Sequence, residues 1–161
     1  MIQSNYEIER EKLKSGDLIA FGGRGIASSI IKMKTHSNVS HVGVILETTV
    51  DWCDRAVVQI IESTSLGDGF AGVQINKMST RVAQYTGDIW ILPMLSDVWD
   101  MFGLRDYITW VICSELVSAG LQEGGAIPKA LNASEETPIQ TCRHRVWDAP
   151  IQIKGEESEL S

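Results

Sequence analysis

Two residues in the sequence, His41 and Cys113, carry side chains that could act together as a general base and a nucleophile. A thiol with an ordinary pKa of about 8.5 is only a few per cent ionised at neutral pH, so a working cysteine needs an imidazole or a helix N-terminus beside it. Ser114 and Glu115 follow Cys113 directly, and both types are favoured in the first turn of a helix. The pattern therefore predicts a thiolate stabilised by the helix N-terminus.

His41 begins the apolar run 41–46, which predicts a buried strand that holds the imidazole in a fixed direction. Gly43 lies two residues further on, and its missing side chain is expected to let another group approach the strand closely. The simpler alternative for His41 is a half-buried, hydrogen-bonded histidine without a catalytic role.

The remaining pattern predicts mostly strands, followed by one long buried helix. Strands are expected at 18–21, 39–46, 56–63, 72–75, 87–92 and 146–153, with helices at 26–33 and 107–121. Strands grouped before and after helices, without regular alternation, favour an α+β fold. If the long helix begins near Tyr107, Cys113 lies inside it and the argument from the helix N-terminus weakens.

Two connections in this pattern have recognisable turn chemistry. Residues 51–55 are expected to connect the second and third strands as a hairpin. The glycine-rich segment 22–25 lacks the Gly-Lys-Ser/Thr ending of a phosphate-binding loop and is interpreted as a backbone turn.

Length and charge limit the class of protein. With 161 residues and 43% hydrophobic residues, the chain is expected to form one domain, with a core over about 14–153 and a disordered tail at 154–161. A net charge of −7 argues against a nucleic-acid partner. No apolar run reaches the length of a membrane span, and the charged first residues do not form a signal peptide, so we expect a cytoplasmic protein. Action at a cell envelope or in a phage is the alternative that stays open.

The three cysteines, Cys53, Cys113 and Cys142, are odd in number and lack Cys-x-x-Cys spacing. This argues against a disulfide framework and against a structural zinc site, and it favours a reducing compartment. His36, His41 and His144 have no spacing typical of a metal site.

Three motifs in a particular order resemble the circularly permuted papain-like cysteine hydrolases of the NlpC superfamily, YiiX type. They are Lys14-Ser15-Gly16-Asp17-Leu18-Ile19, the segment from Thr35 through Val39-Ser40-His41-Val42-Gly43-Val44, and Cys113-Ser114-Glu115-Leu116-Val117. The histidine strand precedes the cysteine helix, as in the permuted group, and the resemblance covers about residues 14–153. It implies a small antiparallel sheet or barrel packed against the helix that carries the nucleophilic cysteine. One departure is Ile112, where the family pattern has a tyrosine.

The resemblance implies that Cys113 is the nucleophile, that His41 is the base, and that a third polar residue lies on the next strand, where Glu62 matches. A carboxylate there would accept the second imidazole N–H and fix the tautomer. Gln59 is the rival; because it lies three residues from Glu62, a regular strand points the two side chains to opposite faces.

The expected reaction is cleavage of a peptide or isopeptide amide through an acyl-enzyme, without a cofactor or a metal. The substrate would be a small molecule or a peptide, such as a peptidoglycan fragment. Two alternatives stay open at this point. One is an acyl ester or thioester hydrolase, or an acyltransferase, that uses the same site. The other is a catalytically idle binding or structural module.

Overall fold

A computed structural model describes residues 2–65, 71–96, 117–118, 121–123, 125–132, 136–156 and 158–161. Its strands are β1 (Ile2–Gln3), β2 (Leu18–Gly23), β3 (His41–Val50), β4 (Ala56–Ser65), β5 (Ala71–Lys77), β6 (Gly87–Leu92) and β7 (Ile151–Lys154). Its helices are α1 (Tyr6–Glu9), α2 (Ile26–Thr35), α3 (Met78–Gln84) and α4 (Pro138–Cys142). Within these ranges the chain is an α+β protein.

The strands of the described residues form one seven-stranded mixed sheet in the order β1-β7-β6-β2-β3-β4-β5. Neighbouring strands are antiparallel, except that β1 pairs in parallel with β7. The centre of the sheet is formed by β2, whose six residues are all buried. It lies between β6 and β3, so the predicted histidine strand occupies an interior position.

The two faces of the sheet bury separate hydrophobic clusters, because alternate residues of each strand point to opposite sides. We call them the Trp90 face and the Phe21 face. Sheet residues of the Trp90 face include Leu18, Ala20, Val42, Val44, Ile61, Trp90 and Leu92. Sheet residues of the Phe21 face include Ile19, Phe21, Ile45, Val58, Ile60, Ile89 and Ile91. Helix α4 packs on the first face through Ile139 and Cys142, and α3 packs on the second through Met78.

The predicted hairpin connection at 51–55 is confirmed. Strands β3 and β4 pair antiparallel from Val50 opposite Ala56, and the Asp51 N–H donates to the Arg55 carbonyl at 2.9 Å. The Asp51 carboxylate accepts hydrogen bonds from the backbone N–H groups of Cys53 and Arg55, as aspartate commonly does in turns.

Several elements differ from the sequence-based expectation. Helices α1, α3 and α4 were not predicted, and β7 begins at Ile151, later than expected. The glycine-rich segment is not wholly a loop, because Gly22 and Gly23 continue β2 and pair with β6. A side chain at Gly22 would place its Cβ 2.8 Å from the Asn38 carbonyl oxygen, so glycine permits this close approach.

The chain end also differs from the expected disordered tail, because Ser158–Ser161 pack against the sheet. The Trp90 indole N–H donates to the Ser158 carbonyl at 3.3 Å, and the Asn38 N–H donates to the Ser161 carbonyl at 3.0 Å. Leu160 packs against the core of the Trp90 face. Among the described helices, none has the length and apolar composition needed to cross a membrane.

Candidate functional site

His41 is the first residue of β3 and lies opposite Phe21 of β2. The two rings stack with centroids 5.3 Å apart, so the imidazole lies on the Phe21 face. Its side chain is 15% exposed. The ring is therefore held between a buried strand and an aromatic neighbour, which restricts its orientation as predicted for a strand-borne histidine.

Glu62 of β4 lies beside His41 on the same face, and its side chain is fully buried. His41 Nε2 and Glu62 Oε2 are 2.8 Å apart, a distance typical of a charge-assisted hydrogen bond. The structure thus brings together two of the three residues predicted for the site. Gln59, the rival for this position, pairs with Glu47 further along β4, and strand alternation directs it to the opposite face from Glu62.

Gly43 makes room for this contact. It pairs directly with Glu62 across the β3–β4 ladder, two residues from His41 on the same face. A Cβ at position 43 would lie 3.1 Å from Glu62 Cβ and 3.1 Å from the Ile61 carbonyl oxygen. The glycine therefore lets β4 and the first carbon of the Glu62 side chain lie close to β3, and a close approach to this strand is what the sequence predicted.

Two residues that the sequence analysis missed, Arg81 and Asn76, complete the surroundings of Glu62. Arg81 of α3 is itself buried and donates from Nη2 to Glu62 Oε2 at 3.0 Å. Its Nε lies 2.6 Å from Oε1, at an angle that makes this contact an ion pair rather than a hydrogen bond. Asn76 of β5 donates from Nδ2 to Oε1 at 3.0 Å. Both carboxylate oxygens are thereby engaged.

Arg81 is further held by two aromatic rings. Its guanidinium carbon lies 5.3 Å from the centroid of the Phe21 ring and 5.5 Å from that of Tyr85, both within the range of cation–π contacts. Burial raises the pKa of the Tyr85 hydroxyl, while Ser40, the residue before His41, acts to lower that pKa. Phe21 therefore contacts both His41 and Arg81, and it links the imidazole to the ion pair.

Burial raises the pKa of the Glu62 carboxyl group, but the hydrogen bonds and charges of His41 and Arg81 outweigh it, so the pKa lies below its ordinary value of 4.5. Glu62 is thus ionised at neutral pH and can only accept hydrogen bonds. It follows that a neutral His41 carries its proton on Nε2 and has its basic lone pair on Nδ1. This is the protonation state that a general base requires.

Replacing Gly43 by alanine is expected to lower the free energy of unfolding by about 1–3 kcal/mol, because an added methyl group overpacks the β3–β4 contact. Urea unfolding is the measurement. Gly25→Ala is the matched control: it has open space around the added atom and is expected to cost less than about 1 kcal/mol as a helix-cap change. Equal stability of Gly43→Ala and the wild type would contradict the steric argument.

The predicted nucleophile, Cys113, lies outside the described residues. Residues 117–118 and 121–123 are helical, so helical structure is present inside the predicted helix 107–121 and just past its expected end. Val117 and Leu121 pack on the Trp90 face, whereas the His41 ring lies on the Phe21 face. Of the other cysteines, Cys53 is exposed in the hairpin connection and Cys142 is buried in α4.

A cleft of about 560 Å³ lies next to the start of β3. Its lining residues are Ile31, Lys34 and Thr35 of α2, Ser40, and Glu136–Gln140 with Arg143 from the region of α4. Ser40 immediately precedes His41, so the cleft borders the segment that carries the imidazole. Its volume falls within the range of small-molecule and peptide sites.

The other two histidines take different positions. His36 adopts a left-handed conformation as the C-cap of α2. His144 lies with Nε2 3.1 Å from Glu136 Oε2. The part of the chain that the structure describes contains no group of three or more His, Cys, Asp or Glu side chains arranged to hold a metal ion.

Comparisons with known proteins give little that bears on this site. No family model matches the chain, and no curated protein matches it. The structure is similar to the crystal structure of metalloprotein YiiX from Escherichia coli O157:H7, DUF1105, with a TM-score of 0.45 and 18% sequence identity over 71% of this chain and 68% of that chain. A likeness this distant carries no argument about function.

Proposed function

We propose that this chain is a cysteine hydrolase of permuted papain-like fold, in which Cys113 is the nucleophile, His41 the base and Glu62 the residue that orients the base. The observation that carries the proposal is the contact between His41 Nε2 and the buried, ionised Glu62, 2.8 Å apart. A buried carboxylate that fixes an imidazole on the start of a strand is the arrangement by which a histidine is prepared to accept a proton from a nucleophile.

The proposed reaction cleaves an amide in two steps. His41 Nδ1 takes the proton of the Cys113 thiol, the sulfur bonds to the carbonyl carbon, and the imidazolium returns the proton to the leaving amine as the C–N bond breaks. Water then loses a proton to Nδ1 as its oxygen attacks the acyl carbon. The C–S bond breaks as the imidazolium returns this proton to the sulfur, and the acid and the free enzyme are released. Glu62 stays ionised throughout and stabilises the imidazolium.

The cleft beside Ser40 is the proposed place of the substrate. Ile31, Pro138 and Ile139 give it an apolar part, while Lys34 and Arg143 place cationic side chains at its walls. We assign it a peptide or a related amide rather than a nucleic acid, because the chain as a whole is acidic.

The test is intact-mass detection of a covalent acyl adduct after incubation with a panel of peptide amides, isopeptides, acyl esters and thioesters. The wild-type chain is expected to gain the mass of one acyl group, and Cys113→Ala is expected to gain none. The Cys53→Ala variant, which removes an exposed cysteine, should retain the adduct. An adduct formed with esters or thioesters but not with amides would change the bond class, and an adduct that persists in Cys113→Ala would end the proposal.

A second candidate function, a binding module without catalysis, is favoured by the packing of Val117 and Leu121 on the face opposite the His41 ring. A hydrolase therefore requires the Cys113 sulfur to approach the His41 imidazole at the end of β3 rather than on one face of the sheet. Iodoacetamide labelling against pH separates the two functions. An active thiol at position 113 is expected to react at lower pH than Cys53 and to lose that advantage in His41→Ala, whereas an idle module predicts no difference.

A further inference from the structure

We infer that Arg81, together with Asn76, is a positioning residue that holds Glu62 so that its Oε2 accepts from His41 Nε2. The inference deepens the proposed function and rests on it for its catalytic meaning. Arg81 belongs to α3 and Asn76 to β5. The orientation of the His41 imidazole on β3 therefore depends on two elements that do not line the cleft beside Ser40.

Each carboxylate oxygen of Glu62 makes two contacts. Oε1 contacts Asn76 Nδ2 at 3.0 Å and Arg81 Nε at 2.6 Å, while Oε2 contacts Arg81 Nη2 at 3.0 Å and His41 Nε2 at 2.8 Å. Because the guanidinium engages both oxygens, it fixes the plane of the carboxylate as well as its position. Rotation about the last side-chain bond would break contacts at both oxygens at once.

The buried Glu62 carboxyl group can either stay ionised and pair with Arg81 or take up a proton. A fully buried carboxyl group without a cation would take up a proton readily, because burial disfavours the charged form. A protonated Glu62 could donate a hydrogen bond to His41 Nε2. The imidazole would then carry its own proton on Nδ1, the nitrogen that must accept a proton if His41 is the base. The charge of Arg81 keeps Glu62 an acceptor, and the Phe21 and Tyr85 rings keep Arg81 in place.

The test reads the tautomer of His41 directly, by NMR of the full chain labelled with 15N-histidine at neutral pH. His41 signals are assigned by their absence in His41→Ala, and His36 and His144 serve as references. The wild type is expected to hold neutral His41 as the Nε2–H tautomer. Arg81→Met should lower the ratio of Nε2–H to Nδ1–H tautomer by about tenfold or more, because hydrogen bonds to charged groups favour one arrangement by at least this factor.

Arg81→Lys restores the charge without the planar fork and is expected to recover most of the Nε2–H tautomer. Arg10→Met is the matched control for loss of a packed arginine. Arg10 is 15% exposed, donates from Nε to the Ala56 carbonyl at the other end of β4 at 3.1 Å, and lies over the Tyr6 ring. Its replacement should reduce stability but leave the His41 tautomer unchanged.

The result that overturns the inference is a folded Arg81→Met whose His41 tautomer ratio equals that of the wild type. If Arg81→Met does not fold, Asn76→Ala decides, because this residue is half-buried and its loss should move the ratio in the same direction by a smaller factor; no movement overturns the inference. Once a substrate is known, kcat should fall in Arg81→Met with KM unchanged. The tautomer measurement does not depend on hydrolysis, so it distinguishes failure of this inference from failure of the proposed function.

Discussion

Replacing Glu62 by alanine is expected to lower the free energy of unfolding by about 3–5 kcal/mol, because the change leaves the buried Arg81 guanidinium without its partner. Removing one member of a buried ion pair lowers stability by more than the pair contributes to it, because the remaining charge stays buried without a partner. The measurement is urea unfolding followed by circular dichroism. Glu47→Ala, on the neighbouring strand at an exposed position, is the control and should change stability by less than about 0.5 kcal/mol.

The same comparison has a defined pH dependence. The folded pKa of Glu62 lies below its ordinary value of 4.5, so the unfolded chain takes up the proton first as the pH falls. The contribution of this carboxylate to stability is therefore fully present above about pH 4.5 and is lost as the pH falls through the lower folded pKa. The difference between wild type and Glu62→Ala should shrink in that window. Asp17, whose pKa is raised by burial, acts in the opposite direction but is common to both chains.

If Glu62→Ala is as stable as the wild type at every pH between 3 and 7, then water reaches Arg81 and the Glu62–Arg81 ion pair contributes nothing to stability. Glu62→Gln separates packing from charge. It keeps the size of the side chain and is expected to cost less than alanine, while still losing the charge that pairs with Arg81.

The second large effect is expected for His41→Ala, which should lower kcat by about 10²–10⁴-fold on the substrate identified by the adduct experiment, because the proposed proton transfers lose their base. The fold should persist, since Glu62 keeps Arg81 and Asn76 as partners. Gln59→Ala is the matched control on β4 and should leave kcat within about twofold, whereas Glu62→Gln should slow turnover more than Gln59→Ala.

Added imidazole gives a second measurement on His41→Ala. The substitution leaves a space between the Phe21 ring and Glu62 that matches the ring it removes, so free imidazole should restore part of the lost rate. No such effect is expected in Cys113→Ala. Turnover by His41→Ala within twofold of the wild type, without imidazole, would remove His41 from the mechanism.

The elements closest to His41 were predictable because their signals are local. A run of β-branched residues predicted β3, turn chemistry predicted the connection at 51–55, and Gly43 predicted a close approach to the strand. The choice of Glu62 over Gln59 needed only the two-residue period of a strand and the family pattern. The contact between His41 and Glu62 was therefore within reach of the sequence.

The roles of Arg81 and Asn76 could not be predicted from the sequence, because they depend on the packing of α3 and β5 against β4. An arginine in a polar seven-residue segment is ordinarily a surface residue, and nothing local indicates that Met78 buries the helix on the Phe21 face. The parallel pairing of β1 with β7 joins the two ends of the chain and has no local signal either. The helix expected at 26–33 is present as α2, but the pattern that predicted it did not indicate that Ile30 and Met33 are exposed.

The fit between Gly43 and Glu62 has an evolutionary consequence. A Cβ at position 43 would lie 3.1 Å from Glu62 Cβ and 3.1 Å from the Ile61 carbonyl oxygen, so a side chain there meets the β4 backbone and a carbon that every residue except glycine would place at position 62. Homologous sequences that keep this strand pairing are thus expected to retain glycine at position 43 whichever side chain occupies position 62.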